Sequence, residues 1–251
     1  MLDQPSPPAG RPAMFNLPKV VTAAIAVLLG IHFIRAYLLP PDQDLWVTLA
    51  FAFIPARITA AADLASALPG GAGAEAWTFL TYAFLHADWG HVGLNCLWMA
   101  AFGSPVAWRF GTTRFLVLSA VCAVAGAMLH LALHSNDMVP LVGASAAISG
   151  QMAAATRFAL LAGMPLGGMA AGHNEIYRRP AATLGVLIRD SRVMTFLLVW
   201  FGVNAVVGIV GSGTLSSGSI AWEAHVGGFL AGLLLFPLLD PVGTEAPADR
   251  V

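Results

Sequence analysis

Six stretches of about 20 residues, each apolar and nearly free of charge, recur along this chain, and that length is what a helix needs to cross a bilayer. They run Val20–Leu39, His91–Phe110, Phe115–Leu133, Leu141–Leu161, Val193–Val210 and Ala221–Leu239. A helix of that length rises about 30 Å, the depth of the hydrocarbon layer. Only 10% of the residues are charged and 58% are hydrophobic, with mean hydropathy +0.76; a soluble domain carries about 25% charge. The expected fold is therefore all-α, a polytopic membrane protein with six transmembrane helices in a bundle. The fourth span is built of Ala, Gly, Ser and Met, which suits a helix wrapped by others at close range. A net charge of −1 gives no sign of nucleic-acid binding.

The remaining segments read as tails and loops. Residues 1–19 are polar and proline-rich, the composition of a disordered tail. Residues 20–239 form one domain and 240–251 a short second tail. Basic residues gather before span 1 (Arg11, Lys19), between spans 2 and 3 (Arg109, Arg114) and between spans 4 and 5 (Arg157, Arg178, Arg179, Arg189, Arg192). The positive-inside rule then puts both termini in the cytoplasm. The long first loop, residues 40–90, contains the apolar piece "LWVTLAFAFIPARITAA", broken by Pro55 and Arg57. A seventh span there would invert every later loop, so an interfacial or half-inserted segment is expected. The cytoplasmic loop 164–192 is glycine-rich and then basic, as a flexible loop near anionic headgroups would be. Cys96 and Cys122 both fall in apolar stretches and read as small buried hydrophobes rather than a disulfide.

With this topology the even-numbered spans all start at the outer face, and the unusual polar residues sit at those starts. Span 2 opens with "HADWGHVGLN", carrying His86, His91 and Asn95; span 4 opens with Gly143 and Ser145; span 6 opens with "EAHVGG", carrying His225. Ser145 and His225 would each lie about 6 Å below their helix starts. A serine among Ala and Gly is ordinarily packing, but a histidine inside a membrane is costly and marks function. Ser145 needs a base to act as a nucleophile, and Gly228 and Gly232 share the helical face of His225, letting the two backbones approach. Oxyanion donors are available in the first turn of the Ser145 helix and in His91 and Asn95, spaced i and i+4. His130 and His134, spaced i and i+4, could bind a metal, but no carboxylate or cysteine is seen to complete a set, and they are assigned to the interface. Asn204 reads as a helix–helix hydrogen bond, and Trp46, Trp77, Trp89 and Trp222 as an interfacial aromatic belt.

Joined in order, these stretches resemble the rhomboid family of intramembrane serine proteases. "HADWGHVGLN" resembles H-x4-H-x3-N, "GASA" resembles G-x-S-x, and "AHVGGFLAG" resembles A-H-x2-G-x3-G. The resemblance implies a serine endopeptidase with Ser145 as nucleophile, His225 as base in a dyad without a carboxylate, and His91 and Asn95 as oxyanion donors. It implies structural roles for His86, tying down the first loop, for Gly143, and for Gly228 and Gly232 between spans 4 and 6. No cofactor or metal is implied. The partners implied are the lipid bilayer and membrane-protein substrates cut in or near a transmembrane segment, and the location is an inner membrane of the bacterial type. The oligomeric state is left open.

Three positions depart from the family pattern. Ala146 follows the nucleophile where glycine is common, and its methyl is expected to narrow the oxyanion site. Ser149 stands where an aromatic residue often packs on the imidazole, leaving open what orients His225. Trp77-Thr78 replaces a frequent Trp-Arg pair, so the first loop is expected to be anchored differently. Rival readings are an inactive rhomboid-like protein that binds membrane clients, and a small transporter. The first usually lacks the serine or the histidine, and the second would need charges inside the spans.

Overall fold

The computed structural model describes residues 17–60, 67–160, 177–214 and 221–242. The two tails beyond these limits, most of the glycine-rich part of loop 164–192, and residues 215–220 of the link before span 6 lie outside the described residues. The described residues are predominantly helical and form no strands, and Phe53 and Leu141 pair in an antiparallel bridge.

Helix α1 (Lys19–Tyr37) is the first span. The first loop then folds as α2 (Pro41–Phe51), α3 (Ala56–Thr59) and α4 (Gly71–Thr81). The apolar piece around Pro55 is thus two short helices with a bend between them, not a seventh span. Span 2 is α5 (Trp89–Trp98) continued by a wider π-turn, Met99–Gly103, into α6 (Ser104–Leu133). The stretch Trp89–Leu133 is one apolar run of 45 residues, but it does not cross as one rod. Gly111 has φ +74° and ψ 172°, a conformation that breaks the helix and favours glycine. The chain doubles back there, so that the Phe115 ring lies against Gly103. Spans 2 and 3 are therefore two helices, with the turn between Arg109 and Arg114 as the sequence predicts.

Span 4 is α7 (Ser145–Ala155) with a π-turn through Leu160, and every side chain from Ala146 to Ala155 is buried. This explains how a weakly hydropathic span is tolerated: it meets protein on all sides rather than lipid. After α8 (Leu184–Leu187) come span 5, α9 (Ser191–Thr214), and span 6, α10 (Trp222–Leu239). Helices α6, α7 and α10 make the closest packing in the molecule. Glycines set that distance. A β-carbon on Gly228 would overlap the Ala146 carbonyl, one on Gly232 the Gly150 carbonyl, and one on Gly150 the sulfur of Cys122. Backbones in contact over two turns leave no slack, so the start of α10 is fixed in register against the start of α7.

Both ends of this trio are tied by polar groups. At the end remote from Ser145, Arg109 forms a bidentate pair with Asp240 (2.7 and 2.8 Å) and donates to the carbonyls of Tyr177 and Arg179. Arg157 donates to the Ala182 carbonyl, and both guanidinium groups stand over the Phe236 ring. At the other end the first loop is stitched to the bundle. Phe53 and Leu141 exchange two backbone hydrogen bonds, and Ala56 N–H donates to the Asp137 carbonyl. Arg35 on α1 donates to Asp44, Thr48 and the His86 carbonyl. The anchoring cation within the loop is Arg57, buried and bonded to the carbonyls of Leu49 and Pro69, while Trp77 Nε1 donates to the Ala50 carbonyl. Thr78, the residue after Trp77, instead donates to the Ala74 carbonyl within its own helix.

Candidate functional site

The segment before α7 is held from two sides. Gly143 N–H donates to the Tyr82 carbonyl (3.0 Å) and Ala144 N–H to His86 Nε2 (3.4 Å). Burial, and next the neighbouring His91 ring, push the His86 imidazole down to about 3, so Nε2 keeps its lone pair for that amide. His86 therefore grips the strand leading to Ser145, in addition to the first loop it was assigned to tie. Gly143 has φ +120°, and a β-carbon there would come within 2.7 Å of His91 Nε2. Both facts require glycine at this position. Helix α7 begins at Ser145, so the Ser145 amide is among the N–H groups that have no acceptor within the helix.

The structure brings Ser145 and His225 together. His225 Nε2 lies 2.7 Å from Ser145 Oγ, across 80 residues of sequence. The other imidazole nitrogen, Nδ1, lies 2.8 Å from Asn204 Oδ1 on α9. Asn204 Nδ2 donates in turn to the Trp200 carbonyl one helical turn back (2.7 Å). Since only the amide nitrogen can donate to that carbonyl, the amide oxygen must face His225 and accept from Nδ1–H. Nε2 is then the unprotonated nitrogen, positioned to accept from the serine hydroxyl. The Trp200 ring stands 5.8 Å from the imidazole. Asn204 and Trp200, one turn apart on α9, thus orient His225, and Ser149 instead donates back to the Ser145 carbonyl one turn earlier in its own helix (2.7 Å). Sequence reasoning gave Asn204 a generic helix–helix role and left Trp200 unassigned. Only the contact between α9 and α10 reveals either.

His91 and Asn95 border the same cavity of about 600 Å³ as Ser145 and His225. The His91 ring lies against Gly143 beside Ser145, with its backbone N–H accepted by the helix-capping Asp88 (2.8 Å). Asn95 uses one of its amide hydrogens on the His91 carbonyl (2.9 Å), and a second remains on the same nitrogen. Ala146 does not face the cavity. Its methyl lies against Gly126 on α6, where any side chain would collide with it. The expected narrowing of the site by this methyl is therefore absent, because the missing side chain at Gly126 makes room for it.

Glu223 sits one turn before Gly227 on α10 and turns away from His225. Its Oε1 meets His130 Nδ1 at 2.7 Å and His134 Nε2 at 3.1 Å. Here the sequence reading needs correction: a carboxylate does complete the set begun by His130 and His134. It comes from a helix 93 residues away, a distance at which spacing rules carry no information. Cys96 and Cys122 are free thiols.

A family model described as the rhomboid domain matches residues 73–240. Rhomboid-related protein 3 of Homo sapiens is 37% identical over 76 residues, a match covering 30% of this chain and 18% of that protein.

Proposed function

Because this chain belongs to the rhomboid family, whose members include both active proteases and inactive relatives, we propose that it is an intramembrane serine protease with Ser145 as nucleophile and His225 as general base. The 2.7 Å contact between Ser145 Oγ and His225 Nε2 is the observation that carries this reading. A serine hydroxyl is unreactive at its own pKa and is activated by an adjacent base within hydrogen-bond reach. An inactive client-binding relative has no need of that pair, nor of an amide holding the far nitrogen of the imidazole.

In this reading Ser145 Oγ attacks the carbonyl carbon of a peptide bond while its proton passes to His225 Nε2. Asn204 Oδ1 accepts from Nδ1–H and stabilises the imidazolium that forms. The Ser145 amide, His91 and Asn95 supply donors to the oxyanion. On collapse the C–N bond breaks and His225 returns the proton to the leaving amine. Water then repeats the cycle on the acyl-enzyme, giving a carboxylic acid and free Ser145. Substrates are membrane proteins, cut in or near a transmembrane segment with small residues that unwinds readily. The exposed apolar faces of α1, α6, α9 and α10 support an integral-membrane reading, the basic loops support cytoplasmic termini, and an inner membrane of the bacterial type is part of this proposal.

The decisive experiment is labelling of purified protein with a fluorophosphonate, alongside cleavage of a model transmembrane substrate. Label and cleavage are expected in wild type, and Ser145→Ala abolishes both with little change in thermal stability. Cleavage that persists undiminished in Ser145→Ala defeats the proposal. His91→Ala and Asn95→Ala are each expected to lower turnover by about 10²–10³, the usual loss for one oxyanion donor.

A further inference from the structure

We propose that His130, His134 and Glu223, which border the same cavity as the Ser145–His225 pair but share no residue with it, form a binding site for one divalent ion of the zinc class. The two histidines stand one turn apart at the end of α6, with ring centroids 4.8 Å apart. Glu223, in the first turn of α10, presents one carboxylate oxygen to both rings, at 2.7 and 3.1 Å. All three donor atoms lie within 4.8 Å of one another. Tetrahedral zinc takes imidazole nitrogen and carboxylate oxygen at about 2.0–2.2 Å, so a slight outward turn of the rings admits the ion among them.

The surroundings favour a metal over a plain hydrogen-bonded cluster. His134 Nδ1 lies 3.1 Å from Asp137 Oδ2. A carboxylate on the far nitrogen of a ligating histidine fixes the tautomer and aims the other lone pair at the ion. For His134 that other nitrogen is Nε2, the atom facing Glu223. Two carboxylates also match the charge of a dication. Two imidazoles with a carboxylate suit zinc, nickel or copper better than calcium or magnesium, which take oxygen ligands. Access is open on one side, since the His134 side chain is 41% exposed while His130 and Glu223 are buried. Three protein ligands leave a fourth position for water. A bound ion joins the end of α6 to the first turn of α10, two residues before His225.

The test uses the full-length protein in detergent, stripped by a chelator and titrated with Zn²⁺ by calorimetry, with Co²⁺ as a spectroscopic probe. One ion per chain is expected, with visible Co²⁺ bands of tetrahedral intensity and a raised Tm. His134→Ala and Glu223→Gln are each expected to weaken binding at least tenfold and to remove the Tm shift, and Asp137→Asn to weaken it about tenfold. His134 is exposed enough for its alanine variant to fold, and Glu223→Gln keeps the shape of the side chain. Absence of stoichiometric binding, or binding of equal strength in all three variants, overturns the proposal. None of these measurements depends on protease activity, so failure here leaves the Ser145–His225 reading standing, and failure there leaves this one.

Discussion

Asn204 satisfies two neighbours at once, and in doing so selects the tautomer of His225. Its nitrogen is taken by the Trp200 carbonyl and its oxygen faces Nδ1, so the imidazole can present a lone pair to Ser145 only through Nε2. Removing the amide leaves both tautomers accessible and the ring freer to rotate. One hydrogen bond of this kind contributes about 1 kcal/mol, which is roughly a fivefold effect on rate. Asn204→Ala is accordingly expected to lower kcat about fivefold with KM little changed, as steady-state cleavage of a model substrate would read out. Loss confined to KM, or none, would return Asn204 to a helix–helix role. Ser145, His225, His91 and Asn95 could be named as candidates because each sits in a recognisable local string. Asn204 could not, because an amide in the middle of a span has no local string around it. Its meaning comes from a partner 21 residues away.

At the scale of elements, distance between helices is set by absent side chains. Gly228 and Gly232 on α10 meet the backbone carbonyls of Ala146 and Gly150 on α7, and a carbonyl cannot turn aside as a side-chain tip can. Adding one methyl forces the helices apart, and overpacking of this kind costs about 1–3 kcal/mol. The same shift moves His225 away from Ser145. Gly228→Ala is therefore expected to lower thermal stability and cleavage together. Gly30→Ala on α1, where an added β-carbon meets nothing within 4 Å, is expected to change neither. Normal activity in Gly228→Ala would show that the register of α7 and α10 does not position the pair. The sequence disclosed these elements unevenly. Span lengths were legible because hydropathy reports them directly, and the glycine stripe because its spacing matches a helical face. The short helices of the first loop, and the pairing of Gly126 with the Ala146 methyl, depend on which helix lies alongside, and periodicity does not report neighbours.

Across the whole molecule, the catalytic candidates occupy the tightly packed trio while the helix that orients His225 stands outside it. Helix α9 touches the rest of the bundle mainly through its contacts with α10 and a few aromatic rings, and it turns much of its apolar surface outward, with Leu198 74% and Val203 56% exposed. The cavity at Ser145 is bordered on one flank by Leu94, Asn95 and Trp98 of α5 and on another by Trp200 and Asn204 of α9. One turn further along each of these helices, Phe102 and Phe196 meet at 5.7 Å, and Trp98 stacks on Phe102. These rings close the space between α5 and α9 on the side away from the first loop. Under the protease function proposed above, a substrate helix would enter through that space, whereas a small reagent would reach Ser145 through the cavity itself. An aromatic pair contributes about 0.5–1.5 kcal/mol beyond its buried area, so removing it favours opening by up to about tenfold. Phe196→Ala is expected to speed cleavage of a transmembrane substrate by up to that factor while leaving the rate of fluorophosphonate labelling unchanged, with both rates measured on one preparation. Equal slowing of both would mean that the contact holds Asn204 and His225 in place, and that substrates reach Ser145 by another face.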